Sequence, residues 1–308
     1  MRDDFIAELT ELADVDERVV LLTGDLGYLV LDAFASRFPD RFFNVGVAEQ
    51  NMIGIATGLA EAGYVPFAYS IATFATMRPY EFVRNGPVLH NLPVRIVGVG
   101  GGFDYGFNGI THFALEDYAL MRAQPDLMVV APADSAQARA AVLATRGLAG
   151  PIYFRIAKRG TPVPGLNGRF AIGGIQIIRD GTDIALIAIG SVAREAQRAA
   201  EMLAEEGISA TVAVVSTLNP SPTEDLAELL GGVPLAISVE THYVNGGLGS
   251  LVAETIAEHG LGCRLIRAGV ATVPRGLAGS QRFLEDRFGL SAHRLAATAQ
   301  AALTAATA

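Results

Sequence analysis

The chain of 308 residues is 51% hydrophobic and sets 32 acidic against 23 basic side chains, a formal net charge of -9. That size suits two domains of ordinary core volume, and an acidic chain without a Lys/Arg run cannot neutralise a phosphate backbone, so nucleic acid is not an expected partner. The one cysteine, Cys263, excludes an intrachain disulfide framework and a Cys-rich zinc site.

The N-terminus, "MRDDFIAELTELADVDERV", is charged and amphipathic from its second residue and has no signal-peptide pattern. No apolar run reaches membrane-spanning length, so a cytoplasmic protein without membrane contact is expected. Six Val/Ile-rich runs follow: "RVVLLTG", "RFFNVG", "VPFAYSI", "VRIVGVG", "LMVVAP" and "PIYFRI". They read as buried strands alternating with helices. Near-continuous apolar strands, in place of alternating ones, predict a parallel sheet covered on both faces.

Within this stretch, "NVGVAEQNMIGIATGLA" (44–60) predicts a buried helix that opens on Glu49, Gln50 and Asn51. An acid in the first helical turn is favourable for about 0.3 to 1 kcal/mol and needs no further purpose. A carboxylate walled in by Val45, Val47, Met52 and Ile53 would instead have its proton affinity raised by desolvation, which suits a group that shares a proton with a ligand. Further on, "GVGGGFDYGFNG" (98–109) follows a strand but lacks the dinucleotide pattern. Ligands bind beyond the carboxyl ends of strands in open α/β sheets, which puts Asp104, Tyr105, Asn108 and His112 on the ligand edge.

The segment from Lys158 to Gly174, "KRGTPVPGLNGRFAIGG", has no helical period. It places a linker at 161–176 between a first domain, 1–160, and a second, 177–308. The second domain repeats the rhythm: "DIALIAIG", a helix "SVAREAQRAAEMLAEEG" with Ser191 as N-cap and Gly207 as its stop, and "SATVAVVSTLNP" as one strand. Then come a helix "PTEDLAELLGG", "PLAISVET", a helix "GSLVAETIAEHG" and "RLIRAGV". "NGGLGS" (245–250) lacks the lysine and spacing of a phosphate loop. The tail "SAHRLAATAQAALTAATA" reads as a helix from about Ser291 that frays at its end.

Five stretches, "GVAEQNMIGIATGLA", "PFAYSIATFATMRPYEFVRN", "GITHFALEDYALMRAQPDLMVVAPADSAQARAAV", "STLNP" and "ETHYVNGGLGSLVAE", resemble in order and spacing the C-terminal half of transketolase. The resemblance covers essentially the whole chain. It implies two doubly wound α/β domains: a pyrimidine-binding domain with a mainly parallel six-stranded sheet, and a smaller transketolase C-terminal domain. It also implies thiamine diphosphate as cofactor. The family holds the diphosphate and its Mg2+ with a Gly-Asp-Gly and a downstream Asn, and no "GDG" occurs here. An N-terminal diphosphate-binding subunit is therefore the expected partner, in a heterotetramer with two copies of each chain.

The same resemblance implies the site. Glu49 meets a ring nitrogen of the aminopyrimidine, and the proton they share helps the ring remove the thiazolium proton. Phe74 stacks on the ring, while Ile71 and Met77 keep an apolar wall where the family has two further aromatics. His112 faces the reacting carbons and hydrogen-bonds substrate oxygens; Arg2 and Arg155 grip the acceptor's phosphate. Three positions depart from the pattern: Asn108 replaces an acid that reads a sugar hydroxyl, Gly100 a phosphate-contacting histidine, and Leu29 a phosphate-contacting serine. The expected activity is transfer of a two-carbon ketol unit from a ketose donor to an aldehyde acceptor other than an ordinary sugar phosphate. The alternatives are a beta subunit of a 2-oxoacid dehydrogenase or deoxyxylulose phosphate synthase type, or a non-catalytic regulatory subunit of the same fold.

Overall fold

A computed structural model describes residues 1–307. Helix α1 (Arg2–Val15) leads into β1 (Val19–Thr23), α2 (Asp32–Arg37), β2 (Phe42–Asn44), α3 (Glu49–Glu61) and β3 (Val65–Ile71). Then follow α4 (Ala72–Met77), α5 (Tyr80–Val83), β4 (Arg95–Val99), α6 (Asp117–Arg122), β5 (Met128–Val130), α7 (Ser135–Thr145) and β6 (Ile152–Ile156). The six expected strands form one parallel sheet in the order β5-β6-β4-β3-β1-β2. Every residue of β1, β4 and β6 is buried, because helices cover both faces. One face packs against Met52, Ile53 and Ala56 of α3, and the other against Phe5 and Leu9 of α1.

The second domain contains β7 (Ile175–Arg179), β8 (Ile184–Ile189), α8 (Ala193–Glu205), β9 (Ala210–Val215) and β10 (Thr217–Asn219). It continues through α9 (Thr223–Gly231), β11 (Leu235–Tyr243), α10 (Leu248–Glu258), β12 (Arg264–Val270), α11 (Gln281–Arg287) and α12 (Ala292–Thr307). Its sheet has the order β12-β11-β8-β9-β7, parallel except for β7.

Three details differ from the sequence reading. "SATVAVVSTLNP" is not one strand: the chain leaves the second sheet after Val215, and β10 pairs antiparallel with β5, making the first sheet seven-stranded. β5 would otherwise be an uncovered edge, and the crossing strand both covers it and ties the domains together. Strand β7 starts at Ile175, inside the expected linker. Ser191 does not cap α8, because a 3-10 turn over Gly190–Val192 precedes the helix and Val192 takes the cap position without a side-chain bond. Gly207 does end that helix, at φ +78. Finally, α12 stays helical through Thr307, burying Leu295, Ala296 and Ala299 in the second domain's core; the expected fraying falls beyond it, outside the described residues. No helix among the described residues is long and apolar enough to cross a membrane.

Candidate active site

Glu49 is the first residue of α3 and is 3% exposed. Its Oε1 accepts from Ser70 Oγ at 3.2 Å, and its Oε2 accepts from Arg78 Nη1 at 2.8 Å. The expected apolar wall is thus only partly present. Met52 and Ile53 are fully buried, but Val47 is 72% exposed, and the carboxylate has a charged partner that the sequence reading missed. A signal existed: Arg78 lies four residues after Phe74, the spacing that puts two side chains on one helix face.

The Arg78 guanidinium lies 3.8 Å from the centroid of the Phe74 ring. That ring also meets His112, edge-on with centroids 5.2 Å apart. His112 Nδ1 is in turn 2.9 Å from Thr111 Oγ1. Glu49, Phe74 and His112, from three separate stretches of sequence, therefore converge through one unbroken run of contacts. Ile71 caps α4 and packs partly onto the core beneath β3. Met77 is 45% exposed and accepts a weak bond from Thr73 Oγ1 at its sulfur, 3.7 Å.

The glycine-rich loop after β4 has its own logic. Gly100 has φ +77, and a Cβ there would lie 2.2 Å from the Tyr105 ring. Tyr105 thus fills the space where the family carries a histidine. Its ring stands 6.1 Å from that of His112 and 4.3 Å from Lys158 Nζ. Asp104 accepts from the Lys158 backbone N–H at 2.7 Å, fastening the loop to the segment after β6. Asn108 is exposed on the 3-10 turn Gly106–Asn108, ahead of His112. Arg2, half-buried at the start of α1, donates to Asp3 at 3.3 Å. Burial raises the Tyr105 hydroxyl, and the Arg2 charge acts in the opposite sense. Leu29 is 75% exposed in the left-handed region, φ +63.

Arg155 sits at the domain junction. It is 7% exposed, its Nε lies 2.8 Å from Asp117 Oδ2, and its Nη2 donates to the carbonyls of Ala114 and Thr241, both at 2.9 Å. Its guanidinium also lies 4.1 Å from the Tyr118 ring centroid. Burial opposes its charge, yet Asp117, with Tyr118 and Tyr153, holds it above the ordinary arginine range. Its Nε and Nη2 are thus engaged at the domain junction, while Nη1 has no hydrogen-bond partner among the described residues.

The "NGGLGS" stretch is likewise occupied from within. The Leu248 and Gly249 N–H groups at the start of α10 both donate to the Glu240 carboxylate at 2.8 Å. A Cβ on Gly247 would lie 2.0 Å from Glu240 Oε2. Burial pushes Glu240 up to about 7 against those two N–H donors, and lowers the neighbouring His242 to about 4. Between this second domain and the loop lies a cavity of about 450 Å3 whose lining includes Lys158, Arg159, Arg194, Arg198 and Arg282. These cations come from three distant segments, which is why no run of basic residues announces them.

Comparison with known proteins agrees with this geometry. Residues 1–163 match the family described as "Transketolase, pyrimidine binding domain" and residues 173–295 that described as "Transketolase, C-terminal domain". The chain is 39% identical over 300 residues to the putative transketolase C-terminal section of Methanocaldococcus jannaschii, covering 96% of this chain and 94% of that protein. It is 36% identical over 297 residues to the 6-deoxy-6-sulfo-D-fructose transketolase subunit SqwH of Clostridium sp. strain MSTE9, covering 96% and 92% respectively. Among solved structures, a split-gene transketolase in an inactive beta4 tetramer superposes with a TM-score of 0.87 at 36% identity, over 98% of this chain and 97% of that one. With both domain families matched in order and full-length relatives of this kind, the chain belongs to the transketolase family and corresponds to its pyrimidine-binding and C-terminal domains.

Proposed function

We propose that this chain is the small subunit of a two-chain transketolase that moves a two-carbon ketol unit from a ketose donor to an aldehyde acceptor. The observation that carries this reading is the convergence of Glu49, Phe74 and His112. A buried carboxylate beside an aromatic face fits the aminopyrimidine of thiamine diphosphate: one polar end, one flat wall. The bound cofactor supplies the carbon nucleophile for the transfer. Glu49 holds the proton that its ring nitrogen shares, Phe74 orients the ring, and Ile71 and Met77 keep water from its edges. His112, with Nδ1 engaged by Thr111, turns Nε2 toward substrate oxygens. Arg2 and Asn108 are acceptor contacts of this chain, and Arg155 reaches an acceptor only through Nη1.

The partner reading rests on surface chemistry and on the relatives. Tyr28, Leu29, Val47 and Phe107 are 84%, 75%, 72% and 80% exposed. All four lie on loops at the carboxyl ends of β1, β2 and β4, beside Glu49 and His112, where a diphosphate-binding subunit with its Mg2+ would cover the cofactor. A second set, Ile55, Phe82 and Leu89, is exposed along α3, α5 and the turn that follows, and suits a second copy of this chain, giving two of each subunit. Relatives of matching length are a C-terminal section and a named subunit, and the homologous beta4 tetramer is inactive. We place the complex in the cytoplasm.

The acceptor is read as something other than a simple sugar phosphate. Arg155 has Nε and Nη2 engaged at the domain junction, Tyr105 fills the space at Gly100, and Leu29 is apolar. Lys158, which touches Tyr105, begins a cavity lined by five cations and by Asp104, Glu195 and Glu285, and the excess of cations offers an alternative seat for a longer or carboxylated anionic end. The test is calorimetry and ketol transfer with the chain alone and mixed with a diphosphate-domain partner. Activity and tight thiamine diphosphate binding are expected on mixing. Tight, Mg2+-dependent binding by the single chain would overturn the two-chain reading.

A further inference from the structure

Arg78 stands one helical turn beyond Phe74, where α4 ends, and makes two contacts at once. Its Nη1 donates to Glu49 Oε2 at 2.8 Å, and its Cζ lies 3.8 Å from the Phe74 centroid. Those are the carboxylate and the aromatic wall that the function proposed above, on which this inference rests, gives to the aminopyrimidine. A guanidinium and a protonated aminopyrimidine are chemically alike: each is planar, offers N–H groups to a carboxylate and lies flat on an aromatic ring. One carboxylate oxygen and one ring face cannot hold both at contact distance.

We propose that Arg78 is an internal competitor of the cofactor, holding Glu49 and Phe74 until the aminopyrimidine displaces it and so setting the affinity for thiamine diphosphate. The physical need is clear from the burial of Glu49, whose side chain is 2% exposed. An unpaired carboxylate there is costly, and the Ser70 hydroxyl alone does not neutralise it. Arg78 supplies the missing charge. It also has somewhere to go: its side chain is 43% exposed, α4 has ended, and Glu81, exposed three residues on, has no ion-pair partner among the described residues. Displacement is then a side-chain swing and needs no refolding of the loop.

A ligand that must first shift a competing state binds more weakly by the population of that state. A cation stacked on an aromatic ring and paired at one carboxylate corresponds to about tenfold to hundredfold in affinity.

The experiment titrates thiamine diphosphate with Mg2+ into the reconstituted two-chain complex by calorimetry, for wild type, Arg78→Met and Arg78→Lys. Arg78→Met is expected to bind about tenfold to hundredfold more tightly, with Arg78→Lys between it and wild type because lysine keeps the charge without the flat fork. In parallel, the Tm of this chain alone should fall on Arg78→Met and recover when Glu49→Gln is added, since the second change removes the stranded charge. Weaker cofactor binding by Arg78→Met would show that the arginine is a fixed part of the bound site and overturn the proposal. An unchanged affinity with a lowered Tm would reduce it to a structural ion pair and overturn it equally. A wild-type complex that binds no thiamine diphosphate would instead overturn the functional reading, and this inference with it.

Discussion

Arg155 and Asp117 form an ion pair, Nε to Oδ2 2.8 Å, almost entirely out of water, their side chains 7% and 1% exposed. Asp117 Oδ2 also accepts from Tyr153 Oη at 2.7 Å, and Arg155 reaches the Thr241 carbonyl of the second domain. Removing one partner of such a pair strands the other, at about 3 to 5 kcal/mol. Arg155→Met should therefore lower the midpoint of chemical denaturation sharply and loosen the domain junction. A variant of wild-type stability that shows only a raised KM for the acceptor would make Arg155 an acceptor contact and not a support of the junction.

Glu49→Gln keeps the shape of the side chain and its bond to Ser70, but it cannot share a proton and no longer balances Arg78. Ketol transfer by the reconstituted complex should fall by about 10² to 10⁴ while the fold survives. Exchange of the thiazolium proton, followed by NMR in the complex, isolates the step. Exchange at the wild-type rate would leave Glu49 as a helix-opening acid and little else.

Most of the fold was legible because burial on both faces leaves an unambiguous apolar run: "VVLLT" and "RIVGV" could be little other than central strands. The elements that escaped, β7 and β10, are short and follow Gly174 and Ser216, and their partners lie far away in sequence. The site divides the same way. Glu49, Phe74 and His112 stood out through motifs, and the structure brings them together. Arg78 did not, because its role comes from what it touches; Tyr105 was placed on the ligand edge without its fit against Gly100, and Arg155 matched a motif that said nothing of its pair with Asp117. Local pattern reports elements well, and a charged side chain's partner poorly.

Gly100 joins two constraints that can be separated. With φ +77, any other residue is strained, by about 1 to 2 kcal/mol; a Cβ also meets the Tyr105 ring at 2.2 Å. Gly100→Ala should destabilise the chain by about 2 to 4 kcal/mol, and adding Tyr105→Ala should recover the steric part only. Urea denaturation of the single and double variants measures both parts. Full recovery in the double variant would mean the backbone at 100 is unstrained, and no recovery that Tyr105 is not what excludes the side chain.

Glu285 offers a test of the domain junction by pH. It is 9% exposed on α11, and burial pushes its carboxyl from an ordinary 4.5 up to about 7, opposed by the bond from Gln281 and reinforced by Asp104. Between those two values the folded chain holds a proton that the unfolded chain has released. Stability therefore falls as pH rises through this window: the contribution is fully present below about 4.5 and lost above about 7. Glu285→Gln keeps a neutral side chain of the same shape at every pH, and an amide oxygen can still accept from Gln281 Nε2. The variant should exceed wild type at pH 8 by up to about 3 kcal/mol, and the two denaturation curves should converge toward pH 4.5. A variant no more stable than wild type at pH 8 would show that the Glu285 carboxylate ionises there without penalty, held by the cations that line the adjoining cavity.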